Sequence, residues 1–173
     1  MNIFATIEQA ITFSKVTYYT VKFENEKYSE FEKFILKHQS NESIHNEYQD
    51  LLSLIERLGK EIGAKPRYFR PERNAQAFPP NWNELTKQER KLHVTYQHNL
   101  RLYCMRINDE IVFLFNGGIK TSGHISAQQC KNVRQFFNMA NQLAEGIENA
   151  IKNREIIPSE MTLGVDNDFE LMI

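Results

Sequence analysis

The chain is short of the features that announce a chemistry. Its 173 residues contain two cysteines, Cys104 and Cys130. That is too few for a disulfide framework, and Cys104, inside a β-like run, reads as a small buried hydrophobe. No apolar run approaches the length of a membrane span. The N-terminal MNIFATIEQAITFSK has Glu8 in its middle and no charged leader, so it does not read as a signal peptide and the expected address is the cytoplasm. Net charge is only −1, which disfavours a molecule that binds polyanions with its whole surface but leaves room for a local basic patch. No P-loop, dinucleotide fingerprint or Ser-His-Asp arrangement occurs. His93 and His98, five residues apart, make a poor zinc pair with Cys104. No cofactor or metal is expected.

What remains is an ordinary globular composition, 41% hydrophobic and 25% charged, on a chain long enough for one domain with an unassisted core. Residues 1 to 15 are ambiguous; Ile3, Phe4, Ile7, Ala10 and Ile11 are spaced as a short amphipathic helix. VTYYTVKF, residues 16 to 23, is β-branched and aromatic and predicts a strand. Tyr28, Phe31, Phe34 and Ile35 form a helical stripe, as do Ile44, Tyr48, Leu51, Leu52, Ile55, Leu58 and Ile62. Ser40 and Ser43 lack the acid of a capping box, and Gly63 can stop the second helix. The short link between the helices predicts an antiparallel hairpin.

KPRYFRPERNAQAFPP predicts extended chain with a strand at RNAQAF that Pro79-Pro80 ends. Residues 81 to 99 are a candidate insertion loop with a short surface helix. LRLYCMRI and IVFLF predict a hairpin whose second strand, apolar on both faces, is central and covered on both sides. Asn116-Gly117-Gly118 then reads as a turn needing positive φ. A helix from about Ala127 to Asn153 has Ser126 as its expected N-cap. Strands following a helical hairpin predict an α+β domain with an antiparallel sheet, in the order β-α-α-β-β-β-α. Residues 1 to 155 are expected to form that single domain. The tail, residues 156 to 173, is acidic: Glu155 and the four acids after it face no Lys or Arg, so it could lie over the basic region as a phosphate mimic, or be a last strand or a flexible arm.

The stretch RLYCMRINDEIVFLFNGGIKTS, with the element order around it, resembles the RelE/HigB superfamily of bacterial toxins. The likeness runs over roughly residues 16 to 152. It implies a small twisted antiparallel sheet flanked by helices, action on messenger RNA at the ribosome as an endoribonuclease, and neutralisation by a helix-turn-helix antitoxin. Arg101 and Tyr103 match the arginine and aromatic of the family strand. Lys120 and Thr121 match the Lys-Thr after its glycines, and Arg70 and Arg73 fall where members place basic residues.

Metal-independent RNA cleavage needs a base for the 2′-hydroxyl, an acid for the leaving oxygen and cations for the phosphorane charge. Arg101, Tyr103, Lys120 and His124 could furnish this set: Arg101 and Lys120 on the phosphate, Tyr103 stacking on a base, His124 carrying the proton. The bland readings are a packed tyrosine, a surface ion pair, a solvated turn lysine and an exposed loop histidine. Lys65, Arg67, Arg70 and Arg73, interleaved with Tyr68 and Phe69, suit RNA phosphates and bases, or else an extended strand with aromatics inward and cations in water. The alternative function is a non-catalytic toxin-fold module that binds protein through its hydrophobic strands and tail. Oligomeric state is left open.

Overall fold

The computed structural model describes residues 3–90, 99–121 and 126–173. The chain begins with a strand, not a helix: β1 (Phe4–Thr12) pairs antiparallel with β2 (Thr17–Phe23). A bulge between Gln9 and Ile11 explains why the sequence imitates a helix. Before it, Ala5 and Ile7 join one core; after it, Ala10, Ile11 and Phe13 join the core on the other face. A bulge switches which parity of residue points inward, and so turns a two-residue repeat into three- and four-residue steps.

Helices α1 (Glu30–His38) and α2 (His45–Arg57) form where their stripes predict. The capping box of α1 is Ser29 with Glu32. Past α2 a wide helical turn over Leu58–Ile62 ends at Gly63, whose φ of +89° is the left-handed value that glycine tolerates. Gly59 faces the ring of Phe13 so closely that a Cβ would sit 2.2 Å from it.

The basic stretch is a hairpin rather than one strand: β3 (Arg70–Glu72) and β4 (Ala75–Phe78). A one-turn helix α3 (Lys87–Arg90) follows. Then come β5 (Leu100–Arg106), β6 (Ile111–Ile119) and the long helix α4 (Lys131–Lys152). Helix α4 starts later than expected, with Cys130 at its N-cap. Ser126 instead closes a turn by accepting from the N–H groups of Gln129 and Cys130. The tail forms a hairpin of β7 (Ile156–Ser159) and β8 (Thr162–Val165), then a final strand β9 (Leu171–Met172).

The α+β class holds, but the small antiparallel sheet does not. Seven strands run β3-β4-β5-β6-β2-β1-β9, and β2 lies parallel to β6. A parallel neighbour requires a crossover, supplied by the chain that carries α1 and α2 over one face. Helices α1 and α2 cover Val16, Tyr18, Leu100, Leu102, Val112 and Leu114. Helix α4 covers Tyr19, Val21, Tyr103, Phe113 and Phe115. Strand β6 is therefore central and covered on both sides, as its apolar run implies. The tail is neither free nor near the basic stretch. Ile156 is buried in the α4 core, and β9 pairs with Phe4 and Ala5 at the sheet edge opposite β3.

The two glycines do not make a turn. Gly117 and Gly118 lie inside β6, and neither has positive φ. They permit close approach. The register steps from Leu102–Gly117 to Cys104–Leu114, so β6 carries an extra residue at Phe115 and Asn116. There the strands press together: a Cβ on Gly117 would lie 1.8 Å from the Arg101 carbonyl oxygen, and one on Gly118 3.1 Å from the ring of Phe136. Lys37 ties the bulge to α1. Its ammonium donates to the Gly117 carbonyl at 2.7 Å and to Asn116 Oδ1 at 3.3 Å, and sits 3.8 Å from the Phe136 ring centre. Burial lowers the Lys37 pKa to about 8, against the pull of Glu30.

Next to it, the buried His38 ring packs on Phe34, and neither nitrogen makes a well-aligned hydrogen bond. Burial and the Lys37 charge push its pKa down to about 4, against a smaller upward pull from the Gly117 backbone. Between the unfolded value of about 6.5 and that of about 4, the unfolded chain binds a proton that the folded one refuses. Stability therefore falls as pH drops through this window. Thermal melts at pH 7.5 and 4.5 are expected to show a larger acid loss for the native chain than for His38→Gln. In urea unfolding, Gly117→Ala is expected to cost at least about 3 kcal/mol, because the clash is with backbone. Gly146→Ala, whose Cβ would meet nothing closer than 3.5 Å inside α4, is expected to gain up to about 1 kcal/mol.

Candidate functional site

Cross-strand pairing assembles a charged cluster on the α4 face, at the end of the sheet where β5 begins and β6 ends. Arg70, Ala77 and Tyr103 form one row across β3, β4 and β5, and Glu72 pairs with Ala75 on the same face. Arg101 is two residues from Tyr103 and opposite Gly118. Lys120 extends the ladder by donating its N–H to the Asn99 carbonyl, and by alternation shares the face of Gly118 and Arg101. At position 118 the glycine lets α4 sit close to the sheet, with the Asn132 carbonyl and the Phe136 ring against it.

Electrostatics record the proximity. Burial brings Arg101 down to about 10, and Arg70 pushes further in that direction while Glu72 and Tyr103 oppose it. Arg101 is only 8% exposed and remains a cation at neutral pH. Burial first, then Arg101 and Arg70, lower the Lys120 pKa. Burial lowers Arg70 as well. Its guanidinium is held by the carbonyls of Pro79 and Pro80, at 3.1 and 3.3 Å. Burial raises Glu72, and Arg70, Arg101 and Lys120 restrain the rise. Among the described residues Glu72 makes no ion pair, while Arg70, Arg101 and Lys120 all act on its charge.

Tyr103 lies beneath this cluster and cannot stack on a nucleobase. It is fully buried, with its ring edge-on to Phe137 at 6.1 Å. Its hydroxyl has no hydrogen-bond partner among the described residues, and its neighbours in charge are Glu72, Arg101, Cys130 and Arg70. Burial raises its pKa, so it stays a neutral donor. At the start of α4, Thr121 Oγ1 lies 3.5 Å from Cys130 Sγ. Burial alone would raise the Cys130 thiol. Hydrogen bonds from Thr121 and from the Asn132 and Val133 backbone outweigh it and bring the pKa below the usual value.

The basic run is dispersed, and of its four cations Arg70 alone reaches the cluster. Lys65 pairs with Asp109, which also takes Arg106 at 2.5 Å. Arg67 pairs with Glu89 and lies over Tyr68. Arg73, at the tip of the β3–β4 turn with φ of 64°, lies over Phe137. Tyr68 and Phe69 are buried, so the aromatics face the core and no single RNA surface forms from residues 65 to 73. His124, His93 and His98 lie outside the described residues. Glu72 and Cys130 are additions to the set. Glu72 was visible as the one acid in a basic run; Cys130 carried no signal beyond preceding a helix.

The hydrophobic strands offered for a protein-binding reading are covered on both faces. Among the described residues no group of His, Cys, Asp and Glu could hold a metal ion, and no helix is long and apolar enough to cross a membrane. Comparison with protein-family models, curated proteins and solved structures finds no match to this chain.

A buried hydroxyl without a partner costs about 1–3 kcal/mol. Tyr103→Phe is therefore expected to leave stability unchanged or raise it by about 1 kcal/mol in urea titration. A loss above 2 kcal/mol would mean that the hydroxyl holds a structural bond.

Proposed function

We propose that this chain is a RelE/HigB-like toxin that acts on RNA, a metal-independent endoribonuclease of messenger RNA working with the ribosome and silenced by a helix-turn-helix antitoxin. The observation that carries the proposal is the gathering of Arg101, Lys120 and Arg70 on one sheet face with Glu72, which makes no ion pair among the described residues. A phosphodiester entering there meets three fixed cations in a partly dehydrated setting, where charge stabilisation of a phosphorane is strongest. Cleavage begins when a base removes the 2′-hydroxyl proton. The oxygen then attacks phosphorus, and the bond to the 5′-oxygen breaks as that oxygen is protonated. His124, on the sequence reading, or Glu72, with its raised pKa, takes the first proton. Lys120, its pKa lowered, is the donor to the leaving oxygen. Tyr103 positions Arg101 from below and does not touch RNA.

The test is inducible expression in bacteria, with growth and the 5′ ends of cellular RNA read together. The native chain is expected to arrest growth and leave discrete cuts. Lys120→Ala and Arg101→Gln are expected to lower cleavage roughly 10²–10³-fold, with Lys120→Ala keeping the native melting temperature because its side chain is half-exposed. Growth arrest that survives both substitutions without RNA cuts supports the non-catalytic reading instead.

A further inference from the structure

The edge of the sheet far from the charged cluster is open. Strand β9 covers only Phe4 and Ala5 of β1, and among the described residues no strand pairs with residues 6 to 12 on that side. Ile3 and Ile173 exchange both backbone hydrogen bonds, while the Phe4 carbonyl accepts from Glu24 on the inner side. By the two-residue period, Ile7 and Gln9 turn their N–H and C=O groups outward to the bare edge. Such an edge is a template for another strand.

Exposed apolar side chains gather around it. The large hydrophobics most open to solvent are Ile3 at 43%, Tyr28 at 37%, Leu36 at 47%, Ile157 at 55% and Met172 at 60%. Four of them flank β1: Ile3 precedes it, Met172 is paired beside it, and Tyr28 and Leu36 line a cleft of roughly 330 Å³ between β1 and α1, which Ala10 and Ile35 also line. The charged side chains of this cleft and of the one beside it are Glu8, Glu24, Glu26, Glu32 and Glu170, with Lys22 as the one cation.

We propose that the free edge of β1 and the cleft beside it dock an extended segment of a separate protein whose cleft-facing side chains, every second residue, include both apolar residues and Lys or Arg. The backbone of the segment pairs with Ile7 and Gln9. On the cleft side its apolar residues cover Ala10, Tyr28 and Leu36 and its cations meet the glutamates, while the residues between them point to the other face. The bulge after Gln9 limits the added ladder to the first half of the strand. A second copy of this chain is the wrong occupant: antiparallel pairing of two β1 edges brings the Glu8 carboxylates and their acidic surroundings together, and like charges across strands repel. This surface is independent of the cationic cluster and of any activity assigned there.

The probe is a fluorescein-labelled, end-capped Lys-Thr-Val-Thr-Lys-Thr-Val peptide, which sets Lys and Val on one face, titrated with the full chain at low salt. Binding in the micromolar range is expected, at least tenfold tighter than for the counterpart with Glu in place of Lys, with slowed hydrogen exchange at the Ile7 and Gln9 amides. Ile7→Pro removes an outward donor without touching the β1–β2 ladder, and is expected to weaken binding at least fivefold, with a melting temperature lowered by the lost core contact of the Ile7 side chain. Glu8→Lys is expected to weaken binding as much should the proline variant fail to fold, and Lys120→Ala is expected to bind as the native chain does. Equal affinity for both peptides, no binding, or protection confined to another strand overturns the proposal. So does a concentration-dependent dimer that Ile7→Pro dissociates, which would make a second copy the occupant.

Discussion

The close contact of β5 with β6 at Gly117 and Gly118 is the constraint on which the site depends. Strand β6 must carry an extra residue, absorb it at Phe115 and Asn116, and still run on to Lys120 under the first turns of α4. Side chains at 117 and 118 would strike the Arg101 carbonyl and the Phe136 ring. Their absence lets Arg101 lie opposite Gly118 with Lys120 beside it. Lys37, at the end of α1, clamps the same bulge from the other face and reaches the Phe136 ring, so helices from both layers meet at one irregularity of the central strand.

The consequence is a concentration of positive charge on one face. Lys65, Arg67 and Arg106 are each matched to an acid, whereas Arg70, Arg101 and Lys120 lie close enough to act on one another and on Glu72. The Tyr103 hydroxyl, without a partner among the described residues, lies buried beneath them. On the proposed function, an anionic ligand adds the charge that three mutually repelling cations favour. The opposite edge of the sheet, beside β1, is lined mainly by glutamates and apolar side chains.

The sequence was most legible where one periodicity held for several residues. The stripes of α1, α2 and α4 and the double-sided apolar run of β6 identify themselves, because burial on one or two faces leaves a repeating signature. Strand β1 was misread because its bulge breaks the repeat. The glycine pair was misread as a turn because the need for absent side chains looks the same whether the cause is positive φ or a neighbouring backbone. Within the site, Arg101 and Lys120 could be paired from a shared hairpin. The burial of Tyr103, the scattering of residues 65 to 73 and the arrival of Glu72 depend on β3 and β4 adding to the outer side of β5. That is a long-range pairing with no local trace. The acidic tail read as a phosphate mimic on charge alone; its apolar residues decided otherwise, drawing Ile156 and Leu171 to the α4 side of the core.

The account rests on Arg101 and Lys120 sharing one partly dehydrated space. The direct measurement is the titration of the Lys120 side-chain amine by NMR in the native chain and in Arg101→Gln. A pKa below that of an ordinary lysine, rising toward it when the guanidinium is removed, is the predicted result. An ordinary value that does not respond to the substitution would mean that the two cations face separate regions of solvent, and the site would not exist.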